Sequence, residues 1–184
     1  MQSTGPPPKK KLSVREVLAW VGVLILSVLI AQAMTAPHSH GLVVGQEVSS
    51  LKLKDRAGEV IDLAAQNGRI VVLNVYATWC PPCRAEIPDL SRFARSQTKE
   101  RKGVDLYGVV FESGSPDEAL RVSRDLGIDY AIMMGNQTLV ETFELHTYPT
   151  TIVINRQGVV THHHEGIVSQ EQLERMVSEA ETAL

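Results

Sequence analysis

Hydrophobic residues recur along this chain with two different periods, and the alternation between the periods outlines the fold. From Leu42 to Leu63 the segment containing "VSSLKLKDRAGEVIDL" switches between apolar and polar residues about Gly58, which predicts an edge hairpin. "RIVVLNVYA" (69–77) is instead almost continuously apolar and rich in valine, the pattern of a strand buried on both faces of a mostly parallel sheet. A helix is expected from Pro81 to Thr98, because proline is accepted in a first turn and Ile87, Leu90, Phe93 and Ala94 recur at helical spacing; Pro88 should kink it. Next come "VDLYGVVFE" as a buried strand, "SPDEALRVSRDLG" as a helix capped by Ser115, "YAIMM" as a strand and "NQTLVETFEL" as a short helix. "TTIVINRQGVVTHHHEG" reads as two strands joined at Gln157-Gly158, and "SQEQLERMVSEAETAL" as a closing amphipathic helix that starts at Ser169. Strands alternating with helices and ending in a hairpin and a helix define an α/β class with helices packed about a mixed sheet.

The front of the chain follows another pattern. Residues 17–36 carry no charged side chain, and about 20 residues at 1.5 Å each would cross a ~30 Å hydrocarbon layer as a helix. Lys9, Lys10, Lys11 and Arg15 precede this run and no Lys or Arg follows until Lys52, so the positive-inside rule places the N-terminus in the cytoplasm. A cleaved signal peptide is the competing reading, since "AQA" at 31–33 fits a small-x-small cleavage pattern. Either way the remainder is exported. The expected organisation is a cytoplasmic tail (1–16), a transmembrane anchor (17–36), a linker (37–41) and one domain (42–184), a division that suits 184 residues of which 43% are hydrophobic.

Charge narrows the partners. The net charge of -3 hides four basic residues and one acidic residue before position 37, which leaves 14 basic and 20 acidic residues beyond it. A mildly acidic domain with 5% aromatic residues offers no basic, aromatic-interleaved patch, so nucleic-acid binding is not expected.

The chemistry lies in "NVYATWCPPCRAEIPDL", which holds Cys80 and Cys83, the two cysteines of the chain. A thiolate forms more readily at the mouth of a helix, where the helix dipole and unpaired backbone donors favour negative charge. Cys80 has that position. Its sulfur is expected to be exposed, with Cys83 one turn later pointing inward, so that Cys80 attacks a disulfide and Cys83 resolves the intermediate. The Pro81-Pro82 pair removes two N–H groups that could face the thiolate and leaves those of Cys83 and Arg84. Fewer donors mean a less acidic thiol and a dithiol that reduces other proteins.

"WCPPC" after a buried strand, Pro88 five residues past Cys83, and "TYPTTIVINRQG" about 70 residues on together resemble the thioredoxin superfamily, and more narrowly its membrane-anchored, extracytoplasmic TlpA/ResA-type thiol-disulfide reductases. The resemblance covers roughly residues 42–182. It implies a thioredoxin-like fold behind an N-terminal transmembrane helix, a redox-active Cys80-Cys83 pair needing no further cofactor, and a cis Tyr148-Pro149 bond. Pro149 would then lie beside the cysteines, and Trp79, Pro81, Pro82 and Tyr148 would line the substrate groove. Thioredoxin's buried aspartate, six residues before the first cysteine, is replaced here by Asn74, which does not take up a proton at ordinary pH. The acid-base role is therefore expected elsewhere. The resemblance points to Glu112, in "ES" at the end of the next strand, with a buried setting that would raise its pKa. Electrons would come from a membrane electron-transfer protein. The substrates would be exported protein disulfides, such as the C-x-x-C-H thiols of apocytochrome c or the cysteines of an oxidase copper site.

Two rival functions are weighed against this. A peroxiredoxin-like peroxidase needs Thr-x-x-Cys, and Thr78 stands too close to Cys80. A copper chaperone of the respiratory oxidase would pair the cysteines with histidines, but His162, His163 and His164 lie on a strand where alternate residues face opposite sides, and His38 and His40 are read as solvated.

Overall fold

The computed structural model describes residue 15 and residues 20–27, 44–63, 68–100 and 103–183. The described residues fall within two compact units, Met1–Ser39 and His40–Leu184. In the first, residues 20–27 are helical, with Trp20, Leu24 and Leu26 exposed. Among the described residues no helix is long and apolar enough to cross a membrane. Most of the expected span 17–36, the tail before it apart from Arg15, and the linker with His38 and His40 lie outside the described residues.

In the second unit seven strands form one mixed sheet. They are β1 (Lys52–Asp55), β2 (Val60–Asp62), β3 (Ile70–Tyr76), β4 (Val104–Val110), β5 (Ala131–Met134), β6 (Thr150–Ile154) and β7 (Val160–Glu165), in the order β2-β1-β5-β4-β3-β6-β7. The edge hairpin turns at Gly58, whose φ of +84° is open to glycine without strain. β3, β4 and β5 run parallel, while β6 returns antiparallel on the other side of β3. Connecting the parallel strands are helices α1 (Pro81–Glu100) and α2 (Pro116–Asp125); α3 (Gln137–Phe143) precedes β6 and α4 (Gln170–Thr182) closes the chain.

Local signals place the helix starts. Ser115 accepts from the Glu118 N–H ahead of Pro116, Asn136 accepts from the Leu139 N–H, and Ser169 forms a reciprocal capping box with Gln172. α1 extends to Glu100, two residues beyond its expected end, and holds Pro88 within it.

Every residue of β3 is buried, and successive side chains enter different cores. Val71, Leu73 and Val75 join Leu139 and Phe143 of α3. Ile70 and Val72 join Leu90 and Phe93 of α1 and Leu173 and Val177 of α4. Tyr76 joins a third cluster with both cysteines, Ile87 and Ala119. Complete burial of a Leu or Phe contributes roughly 1.5–3 kcal/mol, so the face of β3 that carries Ile70 and Val72 is held firmly against α1 and α4. Asn74 is buried on the α1 side of β3, where it requires partners.

Candidate active site

The site forms where β3 and β4 reach their C-terminal ends, the usual position for binding in an open α/β sheet. β3 ends at Tyr76, a short loop carries Thr78 and Trp79, and Cys80 precedes the first residue of α1. Arg84 pins this loop by donating from Nε and from a terminal nitrogen to the Thr78 carbonyl, at 3.0 and 2.7 Å. From the end of β4, Ser113 accepts the Thr78 N–H at 2.9 Å and donates to the Phe111 carbonyl.

Cys80 and Cys83 are joined in a disulfide. Contrary to the expected exposure of Cys80, both residues are buried, 3% and 2% exposed. The bond to an inward-facing Cys83 draws Cys80 into the cluster with Tyr76, Ala77 and Ile87, where half-buried Tyr148 packs against it. Trp79, 58% exposed, takes the outward position instead, with Pro81 and Pro82 also exposed. Of the two amides left after the prolines, only that of Cys83 reaches the Cys80 sulfur, at 3.3 Å. The Arg84 N–H goes to the Cys80 carbonyl within the helix.

The Tyr148-Pro149 peptide bond is cis, as the resemblance implies. Tyr148 meets Trp79 edge to face with ring centroids 6.1 Å apart, and its hydroxyl donates to Glu112 Oε2 at 3.2 Å. Burial, followed by the Glu112 charge, pushes the Tyr148 hydroxyl up to about 12, so it remains a donor throughout the physiological range.

Glu112 itself corrects an expectation: it is exposed, not buried. It follows the last residue of β4 by two, where the sheet no longer covers the chain, and its backbone is left-handed at φ +49°. A non-glycine residue in this region costs on the order of 1 kcal/mol or more. The Trp79 indole N–H, donating to the Glu112 carbonyl at 2.8 Å, helps to hold it there.

The buried carboxyl of the site is Glu86, which is fully enclosed. It lies one turn after Cys83 on α1, facing β3, and accepts from Asn74 Nδ2 at 2.7 Å and from the Val168 N–H at 3.0 Å. Asn74 also reaches Thr151 Oγ1 on β6. Burial pushes the Glu86 carboxyl up to about 7; the bonds from Asn74 and Val168 oppose this, and the Asp89 charge adds to it. A carboxyl poised there exchanges protons near neutrality.

Sequence reasoning missed Glu86, although a signal was present. Cys83, Glu86, Leu90 and Phe93 share one helical stripe, and the other three are buried. The histidines of β7 go to separate partners: His162 to Glu179 and Thr161, His163 to the Phe143 carbonyl, and His164 to the Ile167 carbonyl.

Residues 44–163 match the AhpC/TSA family. The chain belongs to that family. Within it, the relatives are thiol-disulfide oxidoreductases of the ResA and DsbE type, and so is this protein. The thiol:disulfide interchange protein DsbE of Vibrio cholerae is 33% identical over 151 residues, 76% of this chain and 78% of that protein. ResA of Halalkalibacterium halodurans is 27% identical over 135 residues, 72% of this chain and 74% of that protein. A solved thioredoxin-family thiol:disulfide interchange protein from Chlorobium tepidum is 26% identical with a TM-score of 0.64, covering 74% of this chain and 96% of that one.

Proposed function

We propose that this oxidoreductase works outside the cytoplasm, held to the cell membrane by residues 17–36, and reduces disulfides in other exported proteins. The observation that carries the reductive direction is the environment of the cysteine pair: one amide faces Cys80, and a buried carboxyl with a pKa of about 7 sits one turn beyond Cys83. A Cys80 thiolate so weakly supported is poorly stabilised in the reduced form, which favours giving electrons away.

In the proposed reaction the Cys80 thiolate attacks one sulfur of a substrate disulfide. The substrate S–S bond breaks, and the released substrate thiolate takes a proton from solvent. Cys83 then loses its proton to Glu86 and attacks the Cys80 sulfur, forming the Cys80–Cys83 bond and expelling the second substrate sulfur as a thiolate, which takes a proton from solvent as Glu86 returns its own to solvent. Two electrons pass to the substrate. Glu86 replaces Glu112 as the proton acceptor because it is the enclosed group, and because Asn74, which cannot itself take up a proton at ordinary pH, positions it. In this reading Tyr148 and Pro149 line the substrate groove together with the exposed Trp79, Pro81 and Pro82, Tyr148 meeting Trp79 edge to face. The cycle closes when a membrane electron-transfer protein reduces the pair. Apocytochrome c and copper-site cysteines are the substrates put forward.

The test is a full-length Cys83→Ser chain expressed in cells. It should accumulate mixed disulfides through Cys80 with exported proteins carrying paired cysteines; no trapped exported partner would defeat the reading. A reduction potential near -120 mV, the range of a strong oxidant, would reverse the assigned direction.

A further inference from the structure

A groove of about 230 Å³, whose Val110 and Ala119 belong to the same buried cluster as the two cysteines, runs from Glu112 and Gly114 over Phe111, Ala119 and Met134. That is below the roughly 300 Å³ at which small-molecule pockets begin, and matches a single long side chain. The floor is apolar, Glu112 is the acid that lines it, and Glu118 lies close to its edge at Gly114. Glu112 stands at one end, and the Glu118 carboxylate lies over Gly114, where an added Cβ would come 2.9 Å from its Oε2. Neither acid forms an ion pair among the described residues. Arg84, the cation of the cysteine loop, is occupied with the Thr78 carbonyl.

We infer that this groove is a substrate subsite for a lysine or arginine side chain carried next to the disulfide under attack. The inference rests on the reading of the protein as a reductase. A long basic side chain lays its methylene stem on an apolar surface and holds its charge at the polar rim, which is the pattern the groove offers. Tyr148 fixes one oxygen of Glu112 and leaves the other for the substrate cation. The left-handed backbone at Glu112, tied to Trp79, holds the carboxylate in a loop bonded to the one that presents Cys80. An acidic side chain at the same substrate position would meet two like charges, so the subsite selects by repulsion as well as attraction.

The experiment uses the full chain in detergent with Trp20→Phe, Cys80→Ser and Cys83→Ser, so that Trp79 reports binding without turnover. The probes are three peptides with one intramolecular disulfide that differ only in Lys, Ala or Glu after the second cysteine. The Lys peptide should bind about fivefold more tightly than the Glu peptide, as suits exposed charges. The gap should shrink when salt is raised from about 0.05 to about 0.5 M. Adding Glu112→Gln should bring the ratio below about twofold, whereas Glu141→Gln, on α3, should preserve it. Equal affinities in the parent, or a ratio that survives Glu112→Gln, would overturn the inference. Failure of the reductase reading shows separately, as inability of the chain with both cysteines to reduce any of the three peptides.

Discussion

Two glutamates flank the cysteine pair, and their surroundings are opposite. Glu86 is enclosed between α1, β3 and the segment before α4, with both oxygens accepting from protein donors. Glu112 stands in solvent at the end of β4, with one oxygen bonded to Tyr148. Burial disfavours the charged form, so the enclosed carboxyl is brought to about 7 and suits proton exchange with a thiol. The exposed one suits recognition, because a fixed charge at a rim steers partners. The difference teaches that proximity to the cysteines does not assign the acid; desolvation does.

The comparison breaks most readily at Glu86. Glu86→Gln should slow mixed-disulfide resolution by about 100-fold near pH 7, within the usual worth of a general base, and stopped-flow reduction of a disulfide peptide would measure it. Glu112→Gln should change the same rate on an uncharged peptide by no more than a fewfold. A comparable loss in both variants would erase the distinction.

Stability sharpens the same contrast. Asn74→Ala leaves one Glu86 oxygen without its donor and should cost about 1–3 kcal/mol in denaturant unfolding of the chain. The pH dependence follows from the raised pKa. An unfolded glutamate loses its proton near pH 4.3, whereas Glu86 holds its proton to about 7, so within this window the folded state binds more protons. Stability contributed by Glu86 is therefore greatest at the acid end and falls as pH rises toward 7. Glu86→Gln should flatten the unfolding free energy across that window. The smallest effect is expected at Trp79→Phe, which removes the donor to the Glu112 carbonyl at an exposed site and should cost less than about 1 kcal/mol.

Much of this architecture can be read from the residues. The continuous apolar run of β3, the glycine turn at Gly58 and the Ser115 and Ser169 caps each act through local physics, and each element forms where that physics puts it. The cysteine pair and the cis proline are visible through their flanking sequence. What local pattern leaves open is how completely a polar group on an inward stripe is enclosed. In "RAEIPDL" the helical stripe with Cys83, Leu90 and Phe93 places Glu86 on the inward face of α1, but its complete enclosure arises only when α1 docks on β3 and the Val168 amide arrives from 82 residues away. Asn74 gave the complementary hint, since a buried amide requires a partner. The burial of Cys80 is tertiary too, set by its bond to Cys83 and by a cover that includes Tyr148 from the loop before β6.

The most direct measurement is the rate at which Cys83 resolves a preformed mixed disulfide on Cys80, followed from pH 5 to pH 9 in the parent chain, Glu86→Gln and Glu112→Gln. The account predicts an inflection near pH 7 in the parent and in Glu112→Gln, and its loss in Glu86→Gln. An inflection that persists in Glu86→Gln and disappears in Glu112→Gln would contradict it.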